Sequence, residues 1–188
     1  MPKIGFSPLV FVVFALAACS GAPDQRITVP KAQVDETQRI SYGAISLREV
    51  SLPTYAASED IYVADEQGRL STTAGLLWAD DPSRAITLEL SRYLSQITSA
   101  QVASEPWPFA EYPDAQIEVR IEDMLAMSDN TFTLSGQYFV VPENGRDRAR
   151  LFDLSVPISG DATPADIATA RGQAVRDLAI AIARDGLR

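Results

Sequence analysis

Histidine is absent from the 188 residues, and cysteine occurs once, at Cys19. Without histidine there is no Ser-His-Asp triad, no imidazole metal ligand and no histidine proton shuttle. A single cysteine forms no disulfide within the chain and no thiolate-ligated zinc site. Lysine is nearly missing too, with Lys3 and Lys31 its only occurrences. No Gly-rich phosphate loop is present. Basic charge is scarce overall: 16 Lys and Arg stand against 25 Asp and Glu, for a net charge of −9. An acidic domain gains nothing from a phosphate backbone, so nucleic-acid binding is not expected. An anionic lipid surface also repels it. An enzyme on this chain has only carboxylates, Ser, Lys and Tyr to work with, and no cofactor is expected.

What is present begins at the N-terminus. Lys3 precedes a mostly apolar run from Ile4 to Ala18, followed by polar Ser20-Gly21-Ala22-Pro23-Asp24. One positive charge, a short apolar run and small residues are the layout of a secretory signal. The run is shorter than the roughly 20 residues a spanning helix needs. Leu16-Ala17-Ala18-Cys19 resembles the bacterial lipobox. That resemblance implies cleavage between Ala18 and Cys19, and lipid attachment at the Cys19 thiol. It also explains a lone thiol in an exported chain. Several acyl chains, at about 0.8 kcal/mol per buried methylene, anchor firmly. Ser20 resembles an outer-membrane address; anchoring in the inner membrane stays open.

The chain then divides into residues 1–18 as signal, 19–41 as lipidated cysteine and flexible tether, and 42–188 as a single domain. The tether reading rests on a polar stretch with Pro23 and Pro30 and no sustained apolar period. Within the domain, Ile45 and Leu47 alternate with polar residues, Ile61-Tyr62-Val63 is short and apolar, and Leu70 to Trp78 reads as a third strand. Asp81-Pro82 opens a helix as N-cap and first position. Its apolar face is Ile86, Leu90, Tyr93, Leu94 and Ile97, with Arg84, Glu89, Arg92 and Gln96 outward.

Three more strands follow. Ile117, Val119 and Ile121 face one way; Phe132, Leu134, Gly136, Tyr138 and Val140 form the next face; Phe152, Leu154, Val156 and Ile158 the third. Pro157 marks a strand end or an edge. They read as an antiparallel meander with one solvated face. Thr163-Pro164-Ala165-Asp166 starts a second helix, with Ile167, Ala174, Val175, Leu178 and Ile182 inward. The order βββ-α-βββ-α predicts an α+β fold of two layers, an antiparallel sheet with two amphipathic helices packed on it.

Four stretches carry a family resemblance: Val50-Ser51-Leu52-Pro53 with Tyr55, Asp60-Ile61-Tyr62-Val63, Leu76-Leu77-Trp78-Ala79-Asp80 before the first helix, and Ala179-Ile180-Ala181-Ile182-Ala183 in the last. In this order, on a lipoprotein of this length, they resemble the ABC-type transport auxiliary lipoproteins, the PqiC-like family. The resemblance implies a non-catalytic periplasmic component of an MCE-type system that moves phospholipid or other lipid between membranes. MCE-domain protein and ABC transporter components are then its partners, and it docks the transport tube at the outer membrane. A different outer-membrane assembly or structural lipoprotein, such as a lipopolysaccharide-assembly or secretion partner, is the alternative.

The candidate contact residues have two readings each. Trp78 fits an interface anchor or core packing, and Leu52, Pro53 and Tyr55 fit a contact loop or a structural turn. Trp107 and Phe109, between prolines, fit partner contact or a cap on the sheet. Arg146, Arg148 and Arg150 fit an acidic partner or a charged edge that discourages strand pairing. Opposed charges on one molecule also favour a homo-oligomer. Glu118 with Glu122 faces out of a strand and Asp80 with Asp81 caps a helix, so neither is expected to be a catalytic pair.

Overall fold

The computed structural model describes residues 23–188. The signal and lipobox readings, with Ala18 and Cys19, lie outside the described residues. The chain forms β1 (Gln25–Ile27), β2 (Ala44–Leu47), β3 (Asp60–Ala64), β4 (Leu70–Trp78), α1 (Pro82–Thr98), β5 (Gln101–Ser104), β6 (Ala115–Met127), β7 (Thr131–Pro142), β8 (Arg148–Pro157) and α2 (Pro164–Ala181). A π-helical turn, Ile182–Gly186, follows α2.

All eight strands join one sheet, organised by the long strand β6. Along one side β6 pairs antiparallel with β7, and β7 with β8. This is the meander expected from the alternation, with the expected residues buried except Leu154, which is half-buried. On its other side β6 takes two neighbours in succession. β2 pairs parallel with its first residues, Ile45 facing Ala115, and β3 pairs parallel with its last, Val63 facing Ala126. β5 extends the sheet from β2, while β4 and then β1 extend it from β3. The sheet is therefore mixed, which corrects the antiparallel expectation. Parallel partners need long crossover connections and leave no mark on local sequence.

The break between β2 and β3 is closed by the stretch Val50 to Tyr55. Ser51 donates to the Val119 carbonyl and accepts from the Ile121 amide. The Tyr55 hydroxyl then accepts the Met124 N–H at 3.1 Å. These contacts satisfy β6 backbone groups that no strand reaches. The β6–β7 register shifts at the same level, between Ile121 and Asp123. Gly136 lies opposite, and a Cβ there would stand 2.2 Å from the Arg120 carbonyl. Only glycine lets the two backbones meet.

Both helices begin as their sequences direct. The Asp81 side chain accepts the Arg84 N–H, and Thr163 with Asp166 makes a reciprocal capping box. Their buried faces include Ile86, Leu90 and Leu94 on α1, and Ala174, Val175 and Leu178 on α2, all fully covered.

Residues 25–40, within the expected tether, are folded. β1 adds to β4, with Gln25 facing Leu76. Val29, Ala32, Val34 and Ile40 pack against the core. The Ala32 N–H donates to the Tyr93 hydroxyl at 2.8 Å, and the Gln38 N–H to the Ile97 carbonyl at 2.8 Å. Gly172 of α2 makes room for this segment, since a Cβ there would lie 2.7 Å from the Pro30 carbonyl. The domain thus starts near Gln25, not at residue 42. Its apolar residues are too sparse to show a period, but they pack against the core.

Candidate functional site

A broad concave surface lies at the start of β6, beside the loop 105–114 that joins β5 to it. Trp107 and Phe109 pack edge to face there, with ring centres 4.9 Å apart. Trp107 Nε1 donates to the Glu111 carbonyl at 2.7 Å, which closes the loop on itself. Asp114 fixes its far end by accepting the Gly43 and Ala44 N–H groups at 2.7 and 2.9 Å. Phe109 is 41% and Tyr112 87% exposed. The groove, about 860 Å³, is lined by these rings and by Glu49, Glu105 and Glu111. Aromatic faces beside carboxylates suit a cationic group on an apolar stem. The structure thus brings Trp107 and Phe109 together as expected, and adds Tyr112 and the three glutamates, which no local pattern signalled.

On the opposite flank β8 pairs only with β7 and is an edge strand. Arg146 and Arg150 are exposed there. Arg148 is not free: its Nη1 donates to the Gly186 carbonyl at 2.5 Å and holds the C-terminal turn. Arg150 donates to the Ala149 carbonyl at 3.1 Å.

The remaining candidates make contacts within the fold. Leu52, Pro53 and Tyr55 belong to the segment that closes the break between β2 and β3 along β6. The Pro53 carbonyl accepts from the Ala56 and Ala57 amides, and the Tyr55 ring meets Tyr62 edge on at 5.8 Å. Burial pushes the Tyr55 phenol above its ordinary value. Glu118 faces solvent between Arg48 and Arg120, and its hydrogen bond from Arg120 holds its carboxyl below the ordinary glutamate value. Trp78 is buried, with the Arg171 guanidinium 4.9 Å over its ring.

Arg171 is itself 2% exposed, and its nearest countercharge is Glu89, at 3.6 Å. This corrects the outward placement of Glu89 on α1, because α2 covers that flank. Burial pushes the Glu89 carboxyl up, against the pull of Arg171 and Arg92. Burial also lowers the Arg171 guanidinium from its ordinary value, and Glu89 opposes that. Among the described residues no group of three metal-ligating side chains converges, and no helix is long and apolar enough to cross a membrane.

A family model described as "ABC-type transport auxiliary lipoprotein component" matches residues 27–183. The chain belongs to that family. This auxiliary lipoprotein has the PqiC-like fold its sequence resembles, and its matched region begins inside the folded segment that precedes β2. Two crystal structures share the fold. An uncharacterized protein aligns at 18% identity and TM-score 0.71, covering 87% of this chain and 98% of its own. Protein XCC0632 from Xanthomonas campestris aligns at 16% identity and TM-score 0.64, covering 85% and 92%. No curated relative matches the auxiliary lipoprotein.

Proposed function

We propose that this auxiliary lipoprotein is the lipid-anchored, non-catalytic docking component of an MCE-type lipid transport system. The anchor is Cys19 and the membrane is the outer one, held from its periplasmic face. The observation that carries the reading is the polarity of the sheet. Through the β1–β4–β3–β6 ladder, Gln25 faces Leu76, which lies level with Asp60 and so with about Asp123 in the second half of β6, and the chain before Gln25 heads toward the β3–β4 turn. The aromatic loop lies at the start of β6. Eight residues of β6 separate that level from the strand's start at Ala115, roughly 26 Å at about 3.3 Å per residue. Six residues from Cys19 to Gln25 reach at most about 20 Å. A lipidated Cys19 therefore holds the hairpin end near the bilayer and turns Trp107, Phe109 and Tyr112 toward the periplasm, which the MCE-domain protein spans from its ABC transporter.

The two flanks at the distal end are complementary. One carries Arg146 and Arg150 on the β8 edge, the other Glu49, Glu105 and Glu111. Complementary patches on opposite flanks make head-to-tail contacts, which close into a ring when the rotation allows. A homo-oligomeric ring matches the round end of a transport tube.

The anchor is tested by labelling cells with radioactive palmitate. Wild type is expected to take up label and Cys19→Ser none; equal label on both overturns the anchor.

A further inference from the structure

Two apolar residues are buried apart from the main core. Ala64 and Leu125 are 3% and 7% exposed, yet neither joins the core cluster. The register explains them. Ala126 pairs with Phe132, and both belong to the core; Leu125 pairs with Thr133 and faces the other way. In the first half of β6 that outward row is polar, with Gln116, Glu118 and Arg120. Past the shift between Ile121 and Asp123 it becomes Asp123, Leu125 and Met127. Ala64 of β3 and Leu70 of β4 face each other and continue the patch. The outward face of such a sheet is ordinarily polar, so an apolar patch at one end of it marks a contact.

The patch is concave. A pocket of about 320 Å³ is lined by Ala64, Leu70, Leu125, Met127 and the Tyr55 ring, with Asp123 and Thr133 beside them. The Tyr55 hydroxyl is taken by the Met124 N–H. Leu70 is exposed and Met127 half-buried, so the apolar wall is open to a chain laid along it.

The chain that enters β1 comes from the direction of this pocket. β1 runs parallel to β4 with Gln25 facing Leu76. Asp24 lies beside Gly75, its Oδ1 3.6 Å from where a Cβ would stand. The chain before Gln25 therefore heads along β4 toward Leu70. Leu76 and Leu70 are six residues apart on that strand, about 20 Å. Six residues from Cys19 to Gln25 reach about the same distance at full extension, which brings Cys19 level with the pocket. A diacylglyceryl thioether supplies the two chains that stable anchoring takes, so an amide-linked chain on the Cys19 amine is free for another place. A tethered group meets a pocket within its reach at high effective concentration.

We propose that this pocket holds part of one acyl chain of the lipidated Cys19, laid against Leu70, Leu125, Met127 and the Tyr55 ring. The inference rests on the Cys19 anchor proposed above. A chain seated there ties the sheet itself to the anchor, so the domain is held at one tilt to the bilayer.

The full-length protein, purified with its lipid and placed in nanodiscs of perdeuterated phospholipid, carries a diazirine analogue of leucine at position 70. A second preparation carries it at Gln67, exposed on the same hairpin and outside the pocket. Intact mass before irradiation reads the acylation of Cys19. After irradiation, mass spectrometry of the digest reads what each position has joined. Position 70 is expected to join the undeuterated chains of the N-terminal lipopeptide several-fold more than the deuterated lipid, and several-fold more than position 67 does. Met127→Asp is expected to lower that yield several-fold with unchanged circular dichroism. Adducts mainly with deuterated lipid, no lipid adduct at position 70, or equal yields at the two positions overturn the proposal. An own-chain yield that survives Met127→Asp in a folded protein overturns it as well; if that variant unfolds, the comparison of positions 70 and 67 decides. An unacylated Cys19 in the intact mass overturns the anchor and the pocket together, whereas an acylated Cys19 without own-chain adducts overturns the pocket alone.

Discussion

At the residue scale, Glu89 shows how a position can be misread from its own helix. On α1 it falls beside the apolar stripe and reads as solvated, yet α2 brings Arg171 against that flank. Nothing local announces the pair, because Arg171 is more than eighty positions away. By contrast Leu90 and Tyr138 are buried as their periodicity directs. Burial raises the Glu89 carboxyl more than its arginine neighbours lower it, so the folded state holds that proton more tightly than the unfolded chain. The contribution of Glu89 to stability is then fully present below the ordinary glutamate value, about 4.3. It is lost as pH rises through the raised folded value. The stability of wild type relative to Glu89→Gln is expected to fall from pH 4.5 toward neutrality, measured by urea denaturation at several pH values. A difference that stays flat or grows with pH contradicts this account of the pair.

At the element scale, both helices and six of the eight strands were legible. Caps, prolines and apolar periods are local signals, and they mark Asp81, Thr163, β6, β7 and β8 plainly. β1 and β5 were not legible. They have three and four residues and little apolar content, and each is defined only by a distant partner. The folded segment before β2 was hidden for the same reason, since Val29, Val34 and Ile40 gain their burial from a core built by elements far along the chain. The Leu52 to Tyr55 stretch gains a definite role here. It satisfies the middle of β6, where the neighbouring strand changes from β2 to β3. Tyr55→Phe removes the acceptor of the Met124 N–H and is expected to cost about 1–3 kcal/mol, the penalty of an unmet buried group. Hydrogen exchange at Met124 is expected to quicken more than exchange in the β7–β8 pairing. Unchanged stability and exchange would make the motif incidental to the strand break.

At the scale of the whole molecule, the proposed anchor at Cys19 and the aromatic loop would lie toward opposite ends of the sheet, with opposite charge on the two flanks of the aromatic end. The sequence already shows Trp107, Phe109 and the arginines as candidates. It does not show that Arg148 is tied to Gly186, nor that Tyr112 joins the groove. Arg146 and Arg150, not Arg148, are therefore the residues to reverse when the ring contact is probed. Light scattering on the wild-type protein is expected to give a mass of several chains. Arg146→Glu with Arg150→Glu is expected to lower it toward one chain without loss of fold. A single-chain mass at every concentration and salt level, with and without the MCE-domain partner, rules out the ring.

Docking through the membrane-distal end is tested most directly by site-specific photo-crosslinking in cells. A photoreactive residue is placed at Tyr112 in the groove, or at Gln67 on the β3–β4 hairpin. The account predicts a crosslink from position 112 to an MCE-domain protein, and none to that protein from position 67. Crosslinks to it from the hairpin alone, or no MCE-domain protein among the products of position 112, would contradict it.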